Sequence, residues 1–402
     1  MQETHVVTCF LRNRGEILLF ERSDDVGSYT RRWGAVSGHV EDYDKPEATA
    51  LGEIEEETGM TDGVSRVRTG ETFEVVDDEL GKRWVIHPYL FDSASRNVET
   101  NYETARYEWV PATEILERET VPELWKSYEN VAPTVETVAG DTEHGSAYIS
   151  VRALEVLRDT AATHEWDKVV ETAEHLVGAR PSMASLENRI NKVMYGAETP
   201  DEVERMAREV IADAVKADEE ASERAQEVVG GTVFTLSRSG TVLDALSEKS
   251  VIIAESRPAC EGVDVAEELA RDGYDVKLIT DAAIPQFVAK VDTVLVGADT
   301  VLPDGSVVNK TGTRSAALGA DYEKTDFYAV AASDKINTGN SVELEEGTPD
   351  EVYEGDAPIE VENPVFEVTP AELVTGIITE DGILDANEVA EVADELRKFQ
   401  DW

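Results

Sequence analysis

A chain of 402 residues is long enough for two domains, each able to bury its own core. Its 85 acidic against 36 basic side chains give a formal net charge of −49, while 41% hydrophobic residues exclude disorder by composition. Acidity of that size on a folded surface argues against nucleic acid or an anionic membrane as partner, because both are held by Lys and Arg. It fits a halophilic protein, since at molar salt the Debye length falls to roughly 3 Å and self-repulsion is suppressed. The only cysteines, Cys9 and Cys260, exclude a disulfide framework and a cysteine-rich zinc site. The opening MQETH has no basic leader, and no apolar run approaches the ~18–20 residues that span a bilayer. A reduced, cytoplasmic, soluble protein is expected.

Residues 4–12 and 16–21 read as two strands joined across Asn13-Arg14-Gly15, a hairpin signal. Residues 38–60 then run loop, helix, loop. Gly38 is expected to permit a backbone turn. Pro46 suits a first helical turn, and the helix from about 47 to 58 stops at Gly59. Glu53, Glu56 and Glu57 fall at i, i+3 and i+4, so their carboxylates share one face. A hard divalent cation, Mg²⁺ with Mn²⁺ as the alternative, offsets the repulsion among them. Further strands are expected near 64–67, 71–76 and 83–92, the last carrying Pro88 as an edge strand or bulge. His87 there reads as a packed strand residue. Residues 103–111 read as a late strand, with Glu103 and Glu108 on the surface.

A softer stretch at 132–141 marks a boundary, dividing the chain into 1–138 and 139–402. Residues 139–230 are helical in pattern, with Pro200 opening a long amphipathic helix. From 231 to 402 short β-branched runs alternate with helical stretches, the pattern of a Rossmann-like doubly wound parallel sheet. Ser237, Arg257 and Asp299 each follow a strand, and so should meet on the rim where such sheets bind ligands. Helix N-termini on that rim favour phosphate.

The first of these regions resembles the Nudix box, G-x5-E-x7-R-E-U-x-E-E-x-G-U with U aliphatic. It reads Gly38-x5-Asp44-x7-Gly52-Glu53-Ile54-x-Glu56-Glu57-x-Gly59-Met60, preceded by Trp33 and Glu41, with Ser37 for the first glycine of the usual pair. Asp44 shortens the family's glutamate, and Gly52 replaces the arginine that steadies a helix carboxylate. The resemblance implies an α/β/α sandwich around a mixed sheet. It also implies metal-dependent hydrolysis of a nucleoside diphosphate derivative, with Glu53, Glu56 and Glu57 on the metal and Glu53 or Glu57 as base.

The second region resembles the family shared by the α, β and δ subunits of eukaryotic initiation factor 2B, methylthioribose-1-phosphate isomerase and ribose-1,5-bisphosphate isomerase. The motifs are Ala179-Arg180-Pro181-Ser182, Glu255-Ser256-Arg257-Pro258, Gly297-Ala298-Asp299, Asn309-Lys310-x-Gly312-Thr313 and Asn363-Pro364-x-Phe366. The resemblance implies a dimer through this region. It also implies a catalytic role for Asp299 and a nucleotide or sugar-phosphate site with Arg180, Ser237, Arg257, Asn309 and Lys310. For Asn309 and Lys310 the plainer alternative is a turn. Ser237 stands where the isomerases carry a cysteine, and a hydroxyl is a far weaker acid than a thiol of pKa about 8.5. Two other readings follow from these departures: a nucleotide-sensing regulatory protein without catalysis, or a sugar-phosphate isomerase.

Overall fold

The computed structural model describes residues 2–40, 45–246 and 250–402. Glu41 and Asp44 of the Nudix-like stretch lie outside these described residues. The chain divides into two compact units, Met1–Thr134 with Arg158–Thr163, and Val135–Leu157 with His164–Trp402.

In the first unit alternation along the strands builds the sheet. Strands β1 (Gln2–Asn13), β2 (Glu16–Arg22), β3 (Trp33–Gly34), β4 (Val36–His39), β5 (Val64–Thr69), β6 (Phe73–Asp77), β7 (Lys82–Ser93) and β8 (Thr104–Val110) make one mixed sheet. Val7, Cys9 and Leu11 of β1 join Leu18 and Phe20 of β2 on one face. Phe10, Ile17 and Leu19 fill the other. Period-two alternation of this kind puts apolar groups on both faces, which demands cover on each side. Helix α1 (Pro46–Thr58) lays Ala50 and Ile54 on the first face. Ile115, Leu124 and Tyr128 cover the second.

Two expectations change here. Pro88 is not on an edge: β7 runs between β1, its parallel partner, and the antiparallel strands β5 and β6. It is tolerated because the β6 ladder ends at Ile86 and the β5 ladder begins at Tyr89, so no antiparallel partner needs the missing N–H. Gly38 lies in strand β4 rather than at a turn, and its need for glycine has another cause, given below.

The second unit opens with the short helix Val135–Gly140, then helices Ser146–Thr163, Trp166–Val177, Ala184–Met194 and Pro200–Val228; residues 158–163 belong to the first unit. Thr199 caps the longest, accepting from the Glu202 amide, with proline in the first turn. Then follow β9 (Thr232–Leu236), β10 (Ser250–Ala254), β11 (Asp275–Ile279), β12 (Thr293–Gly297), β13 (Thr300–Val301), β14 (Val307–Lys310), β15 (Asp326–Val330), β16 (Phe366–Thr369), β17 (Gly376–Thr379) and β18 (Gly382–Leu384). The main sheet has the order β11-β10-β9-β12-β15-β17-β18, parallel apart from the last pair. Both faces are apolar: Phe234, Ile252 and Val294 point one way, and Val233, Ile253 and Leu295 the other. Strand order reverses between β9 and β12, which makes that crevice the switch point. A small antiparallel sheet, β13-β14-β16, carries Asn309 and Lys310 within a ladder, so these residues do not close a turn.

Candidate active sites

In the first unit a cleft of about 720 Å³ opens over α1. Glu53 and Glu56 line it, with Arg22, Ser37, Gly38, Gly52, Lys82, Trp84 and Glu103. Helical spacing accounts for the division of labour along α1. Ala50 and Ile54 face the core, Glu53 and Glu56 face the cleft, and Glu57 lies buried beneath. A Cβ at position 38 would overlap the Glu53 carboxylate and push it aside, so Gly38 is what lets that carboxylate stand against β4. At position 52 a methyl group would meet nothing within 4 Å, so glycine there leaves open space and no cation on the helix.

The carboxylates are electrostatically crowded. Burial chiefly, with Glu53 and Glu103 adding, pushes Glu57 up to about 8 against the opposing Ser37 amide and Arg22. The Ser37 amide donates to Glu57 Oε1 at 3.1 Å. Burial, then Glu56 and Glu103, push Glu53 up to about 7. Glu103 is therefore part of the cleft rather than surface, while Glu108 pairs with Arg118 at 2.8 Å outside it. Sequence spacing gave no signal for Glu103, Arg22 or Lys82, which reach the cleft from three separate strands or their flanks.

An all-oxygen, anionic donor set suits a hard divalent cation, which would restore the ionised state that crowding disfavours. Among the described residues no three His, Cys, Asp or Glu side chains are already gathered as a ligand set. Glu53 and Glu56 are the residues on the cleft face that would hold such an ion, with Glu103 across from them and Glu57 behind.

In the second unit the switch point receives Ser237 after β9 and Asp299 after β12. Ser237 adopts φ 58 and its amide donates to Ser256 Oγ at 2.7 Å. Asp281 then accepts from the amides of Ser256 and Arg257 at 2.8 and 2.7 Å, which ties the Arg257 loop to the same rim. The Asp299 amide donates to Val308 O of β14, beside Asn309. Lys310 Nζ lies 2.8 Å from Glu261 Oε1, and Asn309 Nδ2 donates to Thr313 Oγ1 at 3.0 Å. Ser237, Arg257 and Asp299 thus follow the ends of β9, β10 and β12, while Asn309 and Lys310 end β14, with Lys310 reaching Glu261 just beyond the Arg257 loop.

Arg180 is engaged differently. It is buried and forms a two-pronged pair with Glu345, Nε to Oε1 at 3.0 Å and Nη2 to Oε2 at 2.9 Å, and it also donates to Asp141 O. Ser182 Oγ adds a third donor to Glu345 at 2.7 Å. A residue that sequence reasoning missed is Lys335, buried, whose Nζ donates to Ala298 O at 3.0 Å next to Asp299.

Residues 1–131 match the NUDIX domain, and residues 142–386 match the initiation factor 2 subunit family. The second match spans more than half of the chain, and the chain belongs to that family. Ribose 1,5-bisphosphate isomerase of Methanocaldococcus jannaschii is 33% identical over 240 residues, 54% of this chain and 77% of that protein. Methylthioribose-1-phosphate isomerase of Parabacteroides distasonis is 29% identical over 310 residues, 67% of this chain and 91% of that protein. The crystal structure of the translation initiation factor eIF-2B of Pyrococcus horikoshii superimposes with a TM-score of 0.57 at 29% identity, covering 62% of this chain and 94% of that one. The chain therefore joins a Nudix domain to an isomerase-related initiation-factor domain. Among the described residues no helix is long and apolar enough to cross a membrane.

Proposed function

We propose that the first unit hydrolyses a nucleoside diphosphate derivative and that the second binds a nucleotide or sugar phosphate. The observation that carries the hydrolase reading is the Gly38–Glu53 fit, a glycine kept bare so that one helix carboxylate can enter the cleft. Mg²⁺ held there would polarise the phosphoanhydride and lower the pKa of an attacking water. Glu53 or Glu57 would take that water's proton, the bound cation opposing the burial and crowding that otherwise raise both carboxyls and so keeping the base ionised. Water oxygen bonds to phosphorus, the bridging P–O bond breaks, and the two phosphate products leave as anions. Arg22 and Lys82, cations on the cleft wall, would hold phosphate oxygens during the displacement.

In the second unit Ser237, Arg257, Asn309 and Lys310 would receive the phosphorylated ligand at the switch point, with Asp299 beside it. Arg180 would join them only by exchanging Glu345 for phosphate. Similarity to ribose 1,5-bisphosphate isomerase supports a second reading, isomerisation with Asp299 moving the proton. Ser237 weighs against it for want of an acidic thiol. A nucleotide-sensing role without turnover is supported by Gly52, which removes a cation from the Nudix helix. A homodimer through the second unit is part of the same reading, checked by light scattering.

The deciding experiment assays the purified chain in molar KCl with Mg²⁺ against nucleoside diphosphate derivatives, beside Glu57→Gln. Turnover that the variant loses supports hydrolysis, whereas equal absence of turnover in both points to the sensor. Conversion of ribose 1,5-bisphosphate by the wild-type chain, lost in Asp299→Asn, would favour the isomerase.

A further inference from the structure

The cleft of the first unit has a second kind of chemistry besides its carboxylates. Tyr29, His39, Lys82 and Trp84 line it together with Glu53, Glu56 and Glu103. The Tyr29 hydroxyl donates to Asp77 Oδ2 at 2.6 Å and accepts from Trp84 Nε1 at 3.1 Å. Both polar atoms of this pair are thereby used within the protein. What Tyr29 still offers a ligand is the face of its ring.

The surroundings fix that ring in place. Tyr29 adopts φ 53, a left-handed backbone that a non-glycine residue keeps only when its neighbours hold it. Its ring and that of Trp84 have centroids 6.3 Å apart and are tilted by 49°. Trp84 is buried and backs the wall, whereas Tyr29 is only half-buried. Lys82 Nζ stands 4.5 Å from the centre of the Trp84 ring, so its charge is also held on this side. On this wall of the cleft the Tyr29 hydroxyl and the Trp84 Nε1–H are already spent, so what the two side chains offer a ligand is ring surface rather than hydrogen bonds. A flat heteroaromatic ring needs none of them to stack, and the negative charge it brings through a phosphate meets Lys82 and Arg22.

We propose that Tyr29 is a specificity-determining residue that stacks on the base of a nucleoside diphosphate, with Trp84 and Asp77 as its positioning residues and Lys82 facing the phosphates. The assignment rests on the hydrolase reading for its choice of a diphosphate, but it concerns binding and does not require turnover.

The test is calorimetric titration of the full chain in molar KCl without divalent cation, using a purine nucleoside diphosphate and, separately, inorganic pyrophosphate. Tyr29→Leu should weaken the nucleoside diphosphate by roughly fivefold to a hundredfold, the range for one lost base–aromatic stack, and leave pyrophosphate unchanged. Tyr29→Phe keeps the ring and should retain most of the affinity, which also guards against a misfolded leucine variant. Equal weakening of both ligands, no weakening of the nucleoside diphosphate, or wild-type binding of it no tighter than pyrophosphate overturns the proposal. Tight base-dependent binding without hydrolysis would remove the hydrolase reading and leave this one standing. Hydrolysis with an unchanged KM in Tyr29→Leu would do the reverse.

Discussion

Gly38 and Glu53 meet so closely that the smallest side chain at position 38 would displace the carboxylate. Gly38→Ala should therefore lower Mg²⁺ affinity by about 10–100-fold, the usual cost of disturbing a ligand's support, while the fold survives. Titration of the cation beside a nucleotide checks this, and unchanged uptake would show that Glu53 is not a ligand. Glu57 makes a different prediction. Its carboxyl is pushed from the ordinary 4.5 to about 8, chiefly by burial, so between those values the native chain keeps a proton that the unfolded chain releases. The metal-free protein should lose stability as pH rises from about 4.5 to about 8 and change little above that. Glu57→Gln cannot ionise and should flatten that slope, which Mg²⁺ should also oppose at high pH by favouring the ionised form. Parallel melting curves across pH for wild type and variant would refute the assignment.

At the scale of elements, the helix Ala184–Met194 is fixed to the turn after β15 by buried charge. Arg189 Nε lies 2.7 Å from Asp334 Oδ2 and Asn188 Nδ2 donates to the carbonyls of Asp334 and Ile336, each at 2.8 Å. Burial alone would lower the Arg189 pKa, but Asp334 and Asp218 hold it above its ordinary value. Removing one partner strands the other in the interior, so Asp334→Ala should cost about 3–5 kcal/mol in chemical denaturation. A loss below about 1 kcal/mol would mean that Arg189 finds other partners. Neither this pair nor the small β13-β14-β16 sheet could be read from the sequence, because short strands such as Thr300–Val301 show no period and ion pairs leave no local pattern. By contrast β1, β2 and α1 were legible, since alternation and the i, i+3, i+4 spacing are local properties. The candidate sites divide the same way. The glutamates on one helix could be found from spacing, and Ser237, Arg257 and Asp299 from strand ends. Glu103, Tyr29, Lys82 and Lys335 could not, since they arrive through pairing between distant segments. Pro88 misled for a related reason: its place depends on where two partner strands begin and end.

For the molecule as a whole the dominant fact is its charge of −49. Even if each of the 36 Lys and Arg offset one of the 85 carboxylates, 49 would stay unmatched. Surface pairs such as Arg205–Glu209, exposed on both sides, add little at any salt concentration. Repulsion spread over the whole surface outweighs them, and its range is about 10 Å at 0.1 M salt and about 3 Å at 1 M. Folding brings these charges closer than they stand in the unfolded chain, so the repulsion acts against the native state and weakens as salt rises. The melting temperature should climb steadily between 0.1 and 2 M KCl, with about 2–4 °C for each kcal/mol recovered in a unit of this size. Screening depends on ionic strength and not on the identity of the ion, so KCl and NaCl at equal concentration should give the same curve. A melting temperature flat in salt would show that the acidity is not what limits stability. A rise seen with K⁺ but not Na⁺ would replace general screening with specific cation sites on the acidic surface.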